Sequence, residues 1–269
     1  MKKNWTGELL ETHVFSRDAI EHLHRYSIVN KYISNKIVLD IACGEGYGSN
    51  LMALTAKRVY GVYIDKEVIN VATNKYTKNN LSYQVGSVTE IPFEDNSIDV
   101  IVSFETLEHH DKHQEMMIEI KRVLKKEGLL FLSTPDKLYY TDKANFKNEF
   151  HVKELYKVDF LKLVNQYFSQ TQFFTQKYLL SVSIIQDESD YNGLNIFSGN
   201  YNDIQQKNIE PLFLIAIASD VNYNLQIASI FEGSPIIKKQ VSSEINKSNS
   251  FKLGSFLLFP IKKIKRLIK

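Results

Sequence analysis

The feature that most constrains the fold is a short β-branched run closed by glycines: Ile37-Val-Leu-Asp-Ile41 leads into Ala42-Cys-Gly44-Glu-Gly46-Tyr-Gly48. A brief apolar run bounded in this way is the pattern of a parallel strand buried on both faces, feeding a turn and then a helix over about 46–55. The alternation repeats. Strands are predicted at 58–64, 82–85, 98–103 and 129–133, helices at 66–76 and 112–124, and a polar helical lead at about 18–32. Strands alternating with helices need crossover connections, hence a parallel sheet covered on both sides. After a looser aromatic stretch at 136–150 comes a helix at about 152–167. Apolar runs at 178–185 and 212–218 supply two more strands as an antiparallel edge pair, and 186–210 and 233–250 read as loops. The expected fold class is α/β: a doubly wound, seven-stranded, mostly parallel sheet. It comprises an N-terminal helical lead (1–35), a sheet domain (36–232) with an insertion at about 134–165, and a linker with a basic amphipathic tail (233–269).

Composition narrows the class. With 269 residues, 43% hydrophobic and 24% charged, the chain can bury a sizeable core. Neither an apolar leader nor an 18-residue apolar stretch stands out, and the expected location is the cytoplasm. The single cysteine, Cys43, excludes an internal disulfide. Net charge is +2, but from Ile245 onward there are seven Lys/Arg and no Asp/Glu, which leaves an acidic body. That balance argues against nucleic acid as a partner.

In an open α/β sheet the ligand sits beyond the carboxyl ends of the strands, where the strand order reverses. The turn after the first strand carries Asp40, Gly44 and Gly46, and the second strand ends at Asp65, where a carboxylate can accept from both hydroxyls of a ribose. A dinucleotide fingerprint wants G-x-G-x-x-G, but Ser49 stands at its last position. Asp40 would also repel a pyrophosphate. A cofactor with cationic groups and no phosphate, such as S-adenosylmethionine, suits the turn better.

The blocks VLDIACGEGYGS, VSFETLEHH, IKRVLKKEGLLFLSTPDK and NEFHVKELY resemble class I S-adenosylmethionine-dependent methyltransferases with a Rossmann-like fold, and more narrowly the bacterial sugar and glycan methyltransferase group. The resemblance covers about residues 20–180. It implies that Asp40, Gly44 and Gly46 line the methionine part of the donor, that Asp65 holds the ribose, and that Ser87 and Val88 border the adenine. Arg25 and Tyr26 resemble a pair in the lead helix that caps the donor and meets its carboxylate. Two departures stand out: Ala42 replaces a glycine usual in the superfamily, and Ser87 stands where an aspartate is common.

Methyl transfer to an alcohol needs alignment and a way to remove a proton, either a general base or a metal ion. Glu105-Thr-Leu-Glu108-His109-His110 follows the fourth strand, and three of seven histidines fall within 109–113. In a helical turn Glu105, Glu108 and His109 share a face. The E-x-x-E-H pattern is similar to that of small-RNA 2′-O-methyltransferases and ubiquinone-pathway O-methyltransferases, where it implies a divalent ion such as magnesium, manganese or zinc. His151 is then the candidate for the remaining ligand, and His109 and His151 are the acid/base candidates with or without metal. His13, His22, His24, His110 and His113 have no motif support and are expected at the surface. Tyr139, Tyr140, Phe146 and Phe150 can form an aromatic wall over an acceptor.

In the tail, Ile261, Ile264, Leu267 and Ile268 follow Pro260 at helical spacing, opposed by lysines and Arg266. A basic amphipathic segment of this kind reads as a peripheral anchor on an anionic membrane surface. The expected acceptor is a hydroxyl of a sugar or surface glycan. The alternatives are a catechol-like or quinone-precursor phenol, and an inactive donor-binding partner of a glycosyltransferase.

Overall fold

Val38 and Leu39, like Val100, Ile101 and Val102, send successive side chains to opposite faces of a sheet, and both faces are buried. In the computed structural model, which describes residues 10, 12, 15–187 and 194–248, the chain runs α1 (Arg17–Asn30), β1 (Ile37–Ile41), α2 (Tyr47–Met52), β2 (Arg58–Tyr63), α3 (Lys66–Lys75), β3 (Leu81–Val85) and β4 (Ile98–Phe104). It continues through a single turn at Leu107–His109, α4 (His113–Val123), β5 (Leu124–Pro135), a wide turn at Leu138–Asp142, α5 (Lys157–Tyr167), β6 (Gln170–Leu179) and β7 (Val182–Asp187). The last described elements are β8 (Phe197–Asn200), β9 (Asp203–Gln206), β10 (Phe213–Ser219), β11 (Ser229–Glu232) and α6 (Ser234–Lys247).

The main sheet has the order β11-β7-β6-β10-β5-β4-β1-β2-β3. From β3 to β5 every pairing is parallel; from β5 to β11 every pairing is antiparallel. The sheet thus has nine strands among the described residues where seven are expected, and half of its pairings are antiparallel. The run at 178–185 is not one strand: it holds the end of β6, a tight turn and most of β7. Residues 233–250 are largely α6 rather than loop, and 186–210 contains the separate β8–β9 hairpin. The tail lies outside the described residues. No helix among the described residues is long and apolar enough to cross a membrane.

Two apolar layers sandwich the sheet. On one side Leu39, Ile101, Leu130 and Leu132 pack with Met116 and Ile120 of α4 and Phe160 and Val164 of α5. On the other, Val38, Val59, Val100, Val102 and Phe131 pack with Val29 of α1 and Met52 of α2. Each such fully buried side chain contributes about 1.5–3 kcal/mol. The lead helix is therefore part of the core. Strand order reverses between β1 and β4, which opens a crevice at the carboxyl ends of the parallel strands.

His24 ties α1 to the antiparallel edge, its Nδ1 2.9 Å from Ser183 Oγ and its Nε2 3.0 Å from Ser229 Oγ. It is buried, not on the surface, and burial first, then the charge of Arg25, pushes its pKa down to about 4. The unfolded histidine titrates near 6.5, so between pH 6.5 and 4 the unfolded chain binds the extra proton and stability falls with falling pH. Denaturant titrations across this window are expected to show wild type losing up to about 3 kcal/mol more than His24→Gln. Identical pH profiles would mean that His24 carries none of the dependence.

Candidate active site

The crevice is a cleft of about 670 Å³. Its floor is the turn after β1, with Gly44 at φ 53° and Gly46 at φ 89°. Only glycine takes these conformations without strain, yet Ala42 also sits at φ 64°, so the turn keeps the shape a glycine would adopt there. Tyr83 of β3 donates its hydroxyl to the Gly46 carbonyl at 2.7 Å and locks the turn against the sheet.

Of the residues singled out by sequence, Tyr26, Gly44, Ser87, Val88, Glu105, Glu108, His109 and His151 all line this one cleft. Arg25, Asp40, Gly46 and Asp65 are not among the lining residues. Asp40 is buried behind the glycine turn, where it accepts from Ser49 Oγ at 2.6 Å and from the Tyr26 hydroxyl at 3.5 Å. Burial pushes its carboxyl up to about 7, against those hydrogen bonds. Its placement ties α1 and α2 to the turn rather than presenting a charge to the cleft. Ser87 Oγ is 3.0 Å from Thr89 Oγ1 and accepts from the Thr89 N–H, shaping the loop after β3.

At the end of β2 the cleft wall is Tyr63 and Ile64. Asp65 is the N-cap of α3, its Oδ1 accepting from Glu67 N at 2.7 Å and Val68 N at 3.3 Å. An N-cap aspartate is worth about 0.5–2 kcal/mol. Asp65→Ala is therefore expected to lower stability by about 1 kcal/mol while S-adenosylhomocysteine affinity, read by calorimetry, stays within severalfold. A hundredfold loss of affinity at unchanged stability would instead put this carboxylate on the ribose.

On the opposite wall, β4 leads into the Leu107–His109 turn. Glu108, His109 and His151 each offer a ligand atom within 4.8 Å of the other two. Glu105 is not in that triad: Ser133 Oγ donates to its Oε1 at 2.6 Å, and Arg25 Nη1 lies 3.6 Å from the same oxygen. Glu108 is buried, with Thr134 Oγ1 donating to its Oε2 at 3.0 Å; burial, reinforced by the charge of Glu105, holds its carboxyl well above the usual range. His109 Nδ1 lies 3.1 Å from the Phe150 carbonyl oxygen. A carbonyl only accepts, so Nδ1 carries the proton and Nε2 the lone pair. His151 Nδ1 is 2.5 Å from Glu154 Oε1, and its Nε2 lies 3.0 Å from Asn148 Nδ2. The two imidazoles meet edge to face with centroids 5.3 Å apart, and Tyr140 stacks on His151 at 5.3 Å. Of the expected aromatic wall, Tyr140 and Phe150 line the cleft; Tyr139 does not, and Phe146 is largely exposed.

The sequence reading missed the His22–Tyr47 pair and misplaced His113 as well as His24. His22 lines the cleft and meets the Tyr47 hydroxyl through Nδ1 at 2.7 Å, so α1 is pinned to the first residue of α2. Its position three residues before Arg25 on the same helix was the available signal. His113, expected at the surface, is buried, its Nε2 2.8 Å from the carbonyl oxygens of Leu107 and His110.

Residues 39–132, which contain the glycine turn, β2, the loop after β3 and the Glu105–His109 turn, match the family model described as methyltransferase domain. Over these residues the chain is similar to a methyltransferase domain. Over 145 residues it is 30% identical to a probable S-adenosylmethionine-dependent methyltransferase of Mycolicibacterium smegmatis, covering 52% of this chain and 56% of that protein. It is 32% identical over 124 residues to the mitochondrial ubiquinone biosynthesis O-methyltransferase of Candida albicans, covering 44% of this chain and 37% of that one. The chain spans about half the length, or less, of the curated relatives it matches. Among solved structures, the YcgJ protein of Bacillus subtilis shares the fold of the methyltransferase domain, with a TM-score of 0.55 at 20% identity, covering 75% of this chain and 100% of that one.

Proposed function

We propose that the chain is an S-adenosylmethionine-dependent O-methyltransferase acting on a hydroxyl of a sugar or surface glycan. The observation that carries the reading is the meeting of His109 and His151 in the same cleft as the glycine turn, under the stacked ring of Tyr140. The donor fits this cleft. Gly44 leaves its floor without a side chain, Ile64 and Val88 offer apolar walls for a nucleobase, and no phosphate-binding cation lies in the turn. When bound, S-adenosylmethionine supplies a methyl carbon already activated by its sulfonium.

The protein must then align the acceptor and take its proton. His109 suits this: the Phe150 carbonyl fixes its tautomer with the lone pair on Nε2. His151, backed by Glu154, lies beside it. Tyr140 and Phe150 offer faces for the apolar side of a sugar ring. A phenolic acceptor is the second reading, favoured by the ubiquinone biosynthesis O-methyltransferases among the relatives.

The Glu108, His109 and His151 triad also fits a divalent cation, which would lower the pKa of an acceptor hydroxyl. Binding would have to overcome the burial that disfavours a charged Glu108 and part the Asn148 amide from His151 Nε2. An anionic membrane surface reached through the basic tail, and a partner glycosyltransferase, belong to the same proposal. Labelled methyl donor incubated with panels of glycosides and of phenols tests the acceptor class: methylated sugar supports the leading reading, and label found on phenols alone replaces it.

A further inference from the structure

Glu105 is the member of the expected metal set that stands apart. It follows β4 with φ 52°, left-handed backbone that costs a non-glycine residue about 1–3 kcal/mol, so its surroundings hold it in place. Both polar contacts of its carboxylate among the described residues, from Ser133 Oγ at 2.6 Å and Arg25 Nη1 at 3.6 Å, fall on Oε1, while its backbone N–H donates to the Ser133 carbonyl. Oε2 has no partner among the described residues, although the residue lines the cleft. Arg25 itself is 1% exposed. Its Nη1 donates to Gln176 Oε1 at 2.7 Å, and its guanidinium lies 5.6 Å and 5.0 Å from the ring centroids of Phe104 and Phe213. Nε and Nη2 are buried without a partner among the described residues. Burying a cation this incompletely bonded is costly. Glu105 is its only carboxylate partner within 4 Å among the described residues.

We propose that Glu105 receives a primary ammonium group, that of the amino-acid end of the methyl donor, and that Arg25 is a positioning residue that fixes the carboxylate so that Oε2 accepts. This rests on the donor reading above. Glu105 directly follows β4, the strand next to β1, whose turn floors the same cleft, and Tyr26 packs on Phe104 beside it at 5.2 Å. Of the other cleft carboxylates, Glu45 meets Lys75 and Tyr76, Glu21 meets Arg17 and Glu108 meets Thr134; Asp18 and Asp111 also line the cleft, but in the first turn of α1 and just before α4 rather than at the end of β4 beside the glycine turn. An ammonium brings donors and no acceptor, so it needs an acceptor that the protein has not already satisfied. The guanidinium does not cancel this attraction, because it lies against Oε1 while the ammonium meets Oε2. The result is an alternating row of cation, carboxylate and cation.

Calorimetry on the full chain tests this with two ligands, S-adenosylhomocysteine and 5′-methylthioadenosine, which has the nucleoside and thioether but lacks the amino-acid end. Glu105→Gln keeps the shape and removes the charge. It is expected to weaken S-adenosylhomocysteine about tenfold or more while leaving 5′-methylthioadenosine within about twofold. Arg25→Met should give the same split, partly restored in Arg25→Lys, which a merely structural role would not produce. If Arg25→Met does not fold, the near-isosteric Glu105→Gln decides alone. Unchanged S-adenosylhomocysteine affinity in Glu105→Gln, or equal losses for both ligands, would overturn the assignment. Wild type that binds neither ligand would instead remove the donor reading on which it rests.

Discussion

Gly46→Val is expected to abolish measurable S-adenosylhomocysteine binding, a loss on the order of a hundredfold or more. Two independent effects add. Valine is β-branched and would have to adopt φ near 89°, a strain of about 1–3 kcal/mol. Its Cβ would also stand 2.7 Å from the ring and hydroxyl of Tyr83. That ring cannot simply swing away, because its hydroxyl is bonded to the Gly46 carbonyl, so the turn itself must shift. Each 1.4 kcal/mol is a factor of about ten, so a moderate part of this strain appearing at the cleft floor suffices. Calorimetry, with thermal unfolding to separate loss of binding from loss of fold, checks the result. A variant that melts and binds like wild type would mean that the turn is not the donor's floor.

The half of the fold that was legible in the sequence is the half governed by one signal at a time. β1, β2, β4 and β5 are apolar runs in a sheet buried on both faces, and their glycine or polar boundaries mark where they end. The antiparallel edge was harder to read because its turn, Leu180-Ser181, carries no glycine, proline, asparagine or aspartate. Leu180, at φ 56° and largely exposed, joins β6 to β7, so a tight hairpin looks like one continuous strand. For α6 the start signal was present, Gly233 followed by Ser234 and Pro235 in the first turn. Its body, with three isoleucines, a valine and paired serines, has low helical propensity and read as loop.

The site divides along the same line. Residues carried by a local motif, such as Gly44, Glu108 and His109, were found where they stand. Asp65 shows the limit of such reasoning. A carboxylate at a strand end that also opens a helix satisfies two sequence patterns at once; the two backbone N–H groups it accepts from establish the cap, a role compatible with holding a ribose. Arg25 is similar. The resemblance aims it at the donor, but its burial between Phe104 and Phe213 leaves it able to act on a ligand only through Glu105.

Replacing His109 by alanine should cost turnover more than any other single change on the acceptor side, by about 10²–10⁴-fold, with S-adenosylhomocysteine affinity nearly unchanged. Both histidines line the cleft, but their hydrogen bonds differ. His151 has both ring nitrogens engaged by side chains, Glu154 on Nδ1 and Asn148 on Nε2, which suits a supporting role and predicts a smaller loss in His151→Ala. His109 has its Nδ1 proton anchored on a backbone carbonyl, so the tautomer is fixed by main chain that no neighbouring side chain can withdraw. Once an acceptor is known, rates measured before and after chelation separate the two ways His109 can act. If chelation stops turnover and added magnesium, manganese or zinc restores it, His109 serves as a ligand, and Glu108→Gln should be as damaging as His109→Ala. If turnover survives chelation, His109 is the base, and Glu108→Gln should be mild because the amide oxygen can still accept from Thr134 Oγ1. Normal turnover in both His109→Ala and His151→Ala would leave the acceptor end of the cleft without a proton acceptor and would refute both mechanisms.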